Sequence, residues 1–381
     1  MAASCCSAGG GDAYPFALGA YSGLRASGTN QAVAAARQVW FDRAMSWMFG
    51  FHRDEAIVCF EKVLEIDPGC AIAHWGIAFC NGPNYNMNGD RYIAISRQET
   101  GFPSHSTAYS HQRLAHQGLE ALGSEASTTE RALIEAQRAR FVRKMEDAQS
   151  DGNAALKTNP QMDALNRAFA QSCREATGAA PADANLWWCL AEALMNCRPW
   201  SLWDISTGEQ APETAEIVAS LSRGLALAPT HPGLCHLAIH AYEMSPHPER
   251  CLPQCDILRD FAPDNGHLLH MPSHIDVLLG QYKSAVTANA KAIRADLKCI
   301  ANKASQRQII GFTCHNHHML VCESENGPSL TYAKLISVCL AAATLLLTIC
   351  TVVLCRRCDA CGYGRRGASH LFSPADTHPR G

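Results

Sequence analysis

The chain has 381 residues, room for two or three ordinary domains or one extended array. Hydrophobic residues make up 47% of it and charged residues 18%, which excludes wholesale disorder. A formal net charge of -3 gives no global basic field, so no nucleic-acid partner is expected.

Residues 1–34 begin with a Gly- and Ala-rich stretch and are expected to form a disordered N-terminal segment. Met1 to Tyr14 carries neither a basic nor an apolar leader region, so no signal peptide is expected. The 19 cysteines lack framework spacing, and most sit inside apolar helical patterns, as Cys59, Cys80, Cys189 and Cys235 do. Buried thiols of that kind suit a reducing cytosol.

From residue 35 to 320 the pattern is helical and repetitive. Trp40, Ala44 and Trp47 lie at helical spacing, and Asp54–Pro68 follows as a second helix closed by proline. Further on, Pro229 and Pro263 are 34 residues apart. Ile217, Cys251 and Ala285 repeat at the same step, as do Leu221, Cys255 and Asn289. A 34-residue helix–turn–helix period is that of the tetratricopeptide repeat, clearest over 37–80 and 213–298. Between these stretches Ser127-x-x-Glu130 forms a candidate capping box ahead of Arg131–Arg143. Pro160–Ala176 and Ala184–Cys197 read as amphipathic helices. No run of alternating strands is present.

Past Lys298 the spacing is lost, and residues 321–334 form a polar linker. Residues 335–355 are 21 in number and uncharged. At 1.5 Å per residue they span about 31 Å, the thickness of a bilayer's hydrocarbon core. A single transmembrane helix is expected there, followed by a short basic, Cys-containing tail over 356–381. A late span without a leader predicts a tail-anchored, single-pass protein whose body stays in the cytosol, with the membrane itself as one partner.

Ten of the 17 histidines fall between His231 and His318. His236 and His240 are four apart and share a helix face, with Glu243 three further on. His270 and His274 repeat that pair 34 residues later, and His267 precedes them. Neighbouring first helices of such an array lie about 8–10 Å apart. The spacing therefore predicts that His236, His240, Glu243, His267, His270 and His274 line one concave groove. Neutral imidazole is the commonest protein ligand for transition metals. His236, His240, His270 and His274 form the candidate metal set, for a divalent ion such as zinc. The same rings could bind an anion or transfer protons near neutral pH. Glu192, Asn196, His247, His315, His317 and His318 are candidate additional members.

Several segments resemble one family of tetratricopeptide-repeat proteins. They are His74-Trp75-Gly76-Ile77-Ala78, Gly82-Pro83-Asn84-Tyr85-Asn86, Ser245-Pro246-His247-Pro248-Glu249-Arg250 and His267-Leu268-Leu269-His270-Met271-Pro272-Ser273-His274. Glu192–Asn196 with Pro199-Trp200 joins them. The resemblance covers roughly 35–320. It implies an all-helical array and names no substrate. Members of the family continue with further repeats where this chain turns to its apolar run.

Two functions are expected from these features. One is a membrane-tethered scaffold whose histidine-lined groove takes a protein or peptide. The other is a metal-dependent or acid–base enzyme built on the same histidines. No phosphate-binding loop, dinucleotide fingerprint or nucleophile elbow is present, and His-Glu-x-x-His is absent.

Overall fold

A computed structural model describes residues 14–21, 23–28, 31–87, 92, 103–143, 160–302 and 309–325, all within one compact unit spanning 1–327. The described residues are all-helical, with no strand among them. The expected membrane segment 335–355, the linker beyond 325 and the tail 356–381 lie outside them. Among the described residues no helix is long and apolar enough to cross a membrane.

Successive helices pack on one another along the chain. The first three are α1 (Ala34–Phe49), α2 (Arg53–Ile66) and α3 (Ala71–Cys80). Then come α4 (His105–Leu122), α5 (Thr128–Gln137), α6 (Pro160–Ala179) and α7 (Ala184–Cys197). The histidine-bearing part comprises α8 (Thr214–Leu227), α9 (Pro232–Tyr242), α10 (Leu252–Leu258), α11 (Gly266–His270), α12 (Pro272–Leu278), α13 (Tyr282–Ala301) and α14 (Ile309–Glu325). The region expected to be a linker from 321 is therefore still helical to Glu325.

Local chemistry sets these boundaries. Ser127 caps α5 by accepting the Glu130 amide at 3.1 Å. The reciprocal half of the capping box is missing, because the Glu130 carboxylate is buried elsewhere. Asp183 caps α7 and Asn265 caps α11 in the same way. His231 caps α9 with its Nδ1, and Pro232 occupies the first helical position, where no amide donor is needed. Pro272 removes one donor between α11 and α12, and the helix is interrupted at Met271.

Leu221, Cys255 and Asn289, spaced by 34 residues, are all buried, on α8, α10 and α13 in turn. Cys235 and Ile239 of α9 enter an apolar cluster with Cys251, Cys255, Leu258 and Ile275.

The structure departs from the expected open groove in two ways. First, residues 14–21 and 23–28 are not free chain. Leu18, Tyr21, Leu24 and Ala26 are buried, Tyr21 donates to Asn185, and the Ala17 amide reaches Asp264 at 2.6 Å. Four apolar side chains in 14–28 have core to cover, and burying them outweighs local backbone freedom. Second, α1 packs on α9, nearly 200 residues away in sequence. Close approach depends on two glycines. A Cβ at Gly233 would lie 2.5 Å from the Phe49 ring, and one at Gly50 would lie 2.2 Å from the Asn265 side chain. The end of α1 thus covers the face of α9 that bears the histidines.

Candidate metal centre

Helix α9 is buried all round, from Pro232 to Ala241. His236 and His240 point away from its apolar cluster, as the spacing predicts, but they meet the Phe49–Phe51 turn rather than an open groove. His236, His240, His267 and His270 are each at most 2% exposed. His274 is 16% exposed at its side chain, and the Glu243 side chain 6%.

The four histidines of the candidate set do not surround one point. They divide between two triads. His236, His240 and His267 form one, with α9 and α11 each contributing. His270, His274 and His315 form the other, on α11, α12 and α14. Within each triad the ligand nitrogens lie within 4.8 Å of one another. His267, expected in the groove but not in the metal set, is a full member of the first. His315, one of the additional candidates, completes the second.

The hydrogen bonds fix which nitrogen faces inward. The Phe49 carbonyl can only accept, so the His236 Nδ1 2.6 Å away carries the hydrogen. Asn289 Nδ2 donates to the Ala285 carbonyl at 3.1 Å, which turns its Oδ1 to His270 Nδ1 at 2.7 Å. The Glu243 carboxylate accepts from His240 Nδ1 at 2.8 Å and from His274 Nδ1 at 2.9 Å. Four rings therefore hold Nδ1–H outward, and in their neutral form each presents an Nε2 lone pair to the interior.

Those lone pairs are crowded. His270 Nε2 lies 2.8 Å from His274 Nε2 and 3.1 Å from His315 Nε2. His236 Nε2 lies 3.1 Å from His267 Nε2. His240 Nε2 and His267 Nδ1 are buried without a partner, at about 1–3 kcal/mol each.

Electrostatics works against protonation of His236, His267, His270 and His315. Burial first, and then the neighbouring imidazoles, holds His236, His267 and His270 well below the usual histidine range. Burial, with His274 and His318 beside it, lowers His315 to about 4. At Glu243 burial works to raise the carboxyl, but the electrostatic attraction and hydrogen bonds of the His274 and His240 rings outweigh it and hold the group below the usual carboxylate range.

Aromatic rings wall the first triad. Phe51 lies 4.4 Å from His236, Tyr85 5.2 Å from His240 and Phe312 4.6 Å from His267, between centroids. Trp200 stacks on Tyr85 at 5.0 Å and sets its edge against His240 at 5.8 Å. Phe51 and Trp200 have φ of 57° and 59°, the positive-φ positions among the described non-glycine residues. Such backbone costs on the order of 1–3 kcal/mol and gathers at functional sites. Here both instances place a ring on His236 or His240.

The remaining candidates lie apart from the triads. Glu192 pairs with Arg53 in the core, where Arg53 also reaches the carbonyls of Phe79, Gly82 and Pro83. Asn196 is buried one turn further along α7, with its amide group unpartnered. His247 is exposed beside Glu249. His317 is buried outside both triads, and His318 is exposed. Asn289, Phe51 and Trp200 are site residues that the histidine spacing alone does not reveal. Asn289 does carry a signal: it holds the repeat position taken by Leu221 and Cys255 in the units before it.

No protein-family model matches this sequence, and no curated protein matches it.

Proposed function

We propose that the protein is a metal-dependent protein whose buried histidine centre binds divalent or monovalent transition-metal ions, one at each triad. The observation that carries this reading is the 2.8 Å contact between His270 Nε2 and His274 Nε2 while both Nδ1 atoms are held by acceptors. With both rings neutral, two lone pairs face each other at that distance, and a cation between them turns their repulsion into coordination. Acceptors behind the ligating rings are the usual support of a metal-bound histidine. Tetrahedral zinc at 2.0–2.1 Å would set its nitrogens about 3.4 Å apart, so small ring movements would complete either site.

The metal reading is put ahead of a peptide-binding groove because the histidines are buried and covered by Phe49–Phe51, which leaves them little surface to offer a peptide. The 34-residue register supports an array of tetratricopeptide type around the centre. The apolar run 335–355 supports a membrane tether for it.

The test is metal content. The full chain, loaded separately with zinc, cobalt and copper and then dialysed, is expected to retain up to two ions. The His270→Ala variant is expected to lose the ion of the second triad. Because His270 is fully buried, this variant will also lose stability, so circular dichroism must accompany the measurement. Wild-type protein that is folded and retains none of these metals at micromolar concentration would defeat the reading.

A further inference from the structure

The two triads are no farther from each other than their own members are. Across the divide, His267 and His270 have ring centroids 5.9 Å apart, and His240 and His274 6.1 Å. Within the triads the separations run from 4.6 Å for His270 and His274 to 6.1 Å for His240 and His267. Glu243 belongs to both sets, with one oxygen on His240 and the other on His274. A single buried carboxylate thus orients one ring of each triad.

Resting on the metal-binding reading above, we propose that the triads form one coupled dinuclear copper centre that takes dioxygen between its two ions. The donor set favours copper. Each ion would have three imidazole nitrogens and no carboxylate, because both Glu243 oxygens are engaged by Nδ1–H groups. Imidazole suits copper well, and copper(II) heads the affinity order for such donors. Oxygen-rich sites for magnesium, calcium or manganese are not built here. Ions in two-metal centres generally sit about 3.5–4 Å apart, a gap that a two-atom ligand bridges. Phe51, Tyr85 and Phe312 supply apolar walls that keep bulk water from the rings. The step balances without further reagents. Two copper(I) ions each give one electron to dioxygen, and the products are two copper(II) ions and one bridging peroxide dianion. No protein bond forms or breaks.

The experiment loads the full chain in detergent with copper(I) under anaerobic conditions, counts bound copper, admits oxygen, and records oxygen uptake and the electron paramagnetic resonance spectrum. Two coppers per chain, one oxygen consumed per two coppers, and a signal far below two spins are expected, since coupled copper(II) ions are nearly silent. Two retained coppers that give a full two-spin signal would overturn the pairing while leaving the metal sites standing. Failure to retain copper at all would overturn the copper centre, and failure to retain zinc and cobalt as well would overturn the metal reading beneath it. His315→Ala, which alters a half-buried member of the second triad, provides the second measurement. It should leave one copper with a full one-spin signal, and persistence of the silent pair in that variant would also overturn the proposal.

Discussion

Asn289 touches no metal position, yet the structure gives it a measurable share in metal binding. Its Oδ1 accepts from His270 Nδ1 at 2.7 Å, and its Nδ2 is held by the Ala285 carbonyl, so the amide cannot turn over. Substitution by alanine removes the acceptor that keeps the His270 lone pair on Nε2, the atom facing His274 and His315. Loss of such a supporting contact costs 10- to 100-fold in metal affinity, or about 1.4–2.7 kcal/mol. Asn289→Asp retains an acceptor at the same place and should restore most of the affinity. Competition with a chelator of known affinity, run on both variants and the wild type, reads the ratio directly. Equal weakening by alanine and aspartate would show that Asn289 acts only through packing. Unchanged affinity in Asn289→Ala would refute the role given to the His270 tautomer.

Other perturbations have opposite pH signatures. His231 is fully buried, and burial lowers it to about 4 against 6.5 unfolded. The unfolded chain therefore takes up a proton first, and stability falls as pH drops from 6.5 towards 4. At pH 5 the loss is about 2 kcal/mol. His231→Asn, which keeps a capping side chain, should shrink the difference between urea midpoints at pH 7 and pH 5, and an unaltered difference would sink this account. Asp296 shows the reverse, because burial raises it from 3.8 to about 7 despite donors from Thr313 and Asn316. Stability is then lost as pH rises from 3.8 to 7, by at most about 4 kcal/mol. Asp296→Asn should raise the urea midpoint at pH 8 but not at pH 4, and an equal gain at both would refute it. For residues 335–355, the full chain should stay with the membrane pellet through carbonate extraction, and release into the supernatant would count against a tether.

Short-range chemistry made much of the helical fold legible. Ala184–Cys197 is the helix that the amphipathic pattern outlines, with Asp183 as its cap and the break before Pro199. Pro160 opens α6 as expected of a first-turn proline. The pairs His236/His240 and His270/His274 each share a helix face because four residues are slightly more than one turn. What the sequence left hidden depends on contacts between distant segments. The partition into two triads follows from where His315 arrives on α14, 45 residues after His270. The cover over the centre follows from α1 packing on α9. Neither has a local signal. The left-handed backbone at Phe51 and Trp200 is hidden for a related reason: nothing in those residue types favours a positive φ, and only the surrounding packing imposes it.

That imposed geometry bears on how the centre is built. A surface groove would ask only that the histidines point outward, and neither Gly50, Gly233 nor a strained Phe51 would be needed. The structure instead brings the C-terminal end of α1 onto α9 and onto the cap of α11 so tightly that a Cβ at Gly233 or at Gly50 would not fit, and continues through Phe51 in a conformation that phenylalanine rarely adopts. The Phe49 carbonyl then fixes His236, and the Phe51 ring lies against His236 while also stacking on His240 and His267. Covering charged or metal-bound imidazoles with an apolar ring weakens solvent screening and strengthens each interaction inside. The same cover makes the unliganded centre costly, since His240 Nε2 and His267 Nδ1 are buried beneath it without a partner. A fold that accepts strain at its lid and crowding beneath it is arranged for an occupant that relieves the crowding. Three convergent imidazoles in each triad, two of them held at Nδ1 by an acceptor, describe that occupant as a soft or borderline metal cation rather than an anion, which would meet lone pairs instead of donors.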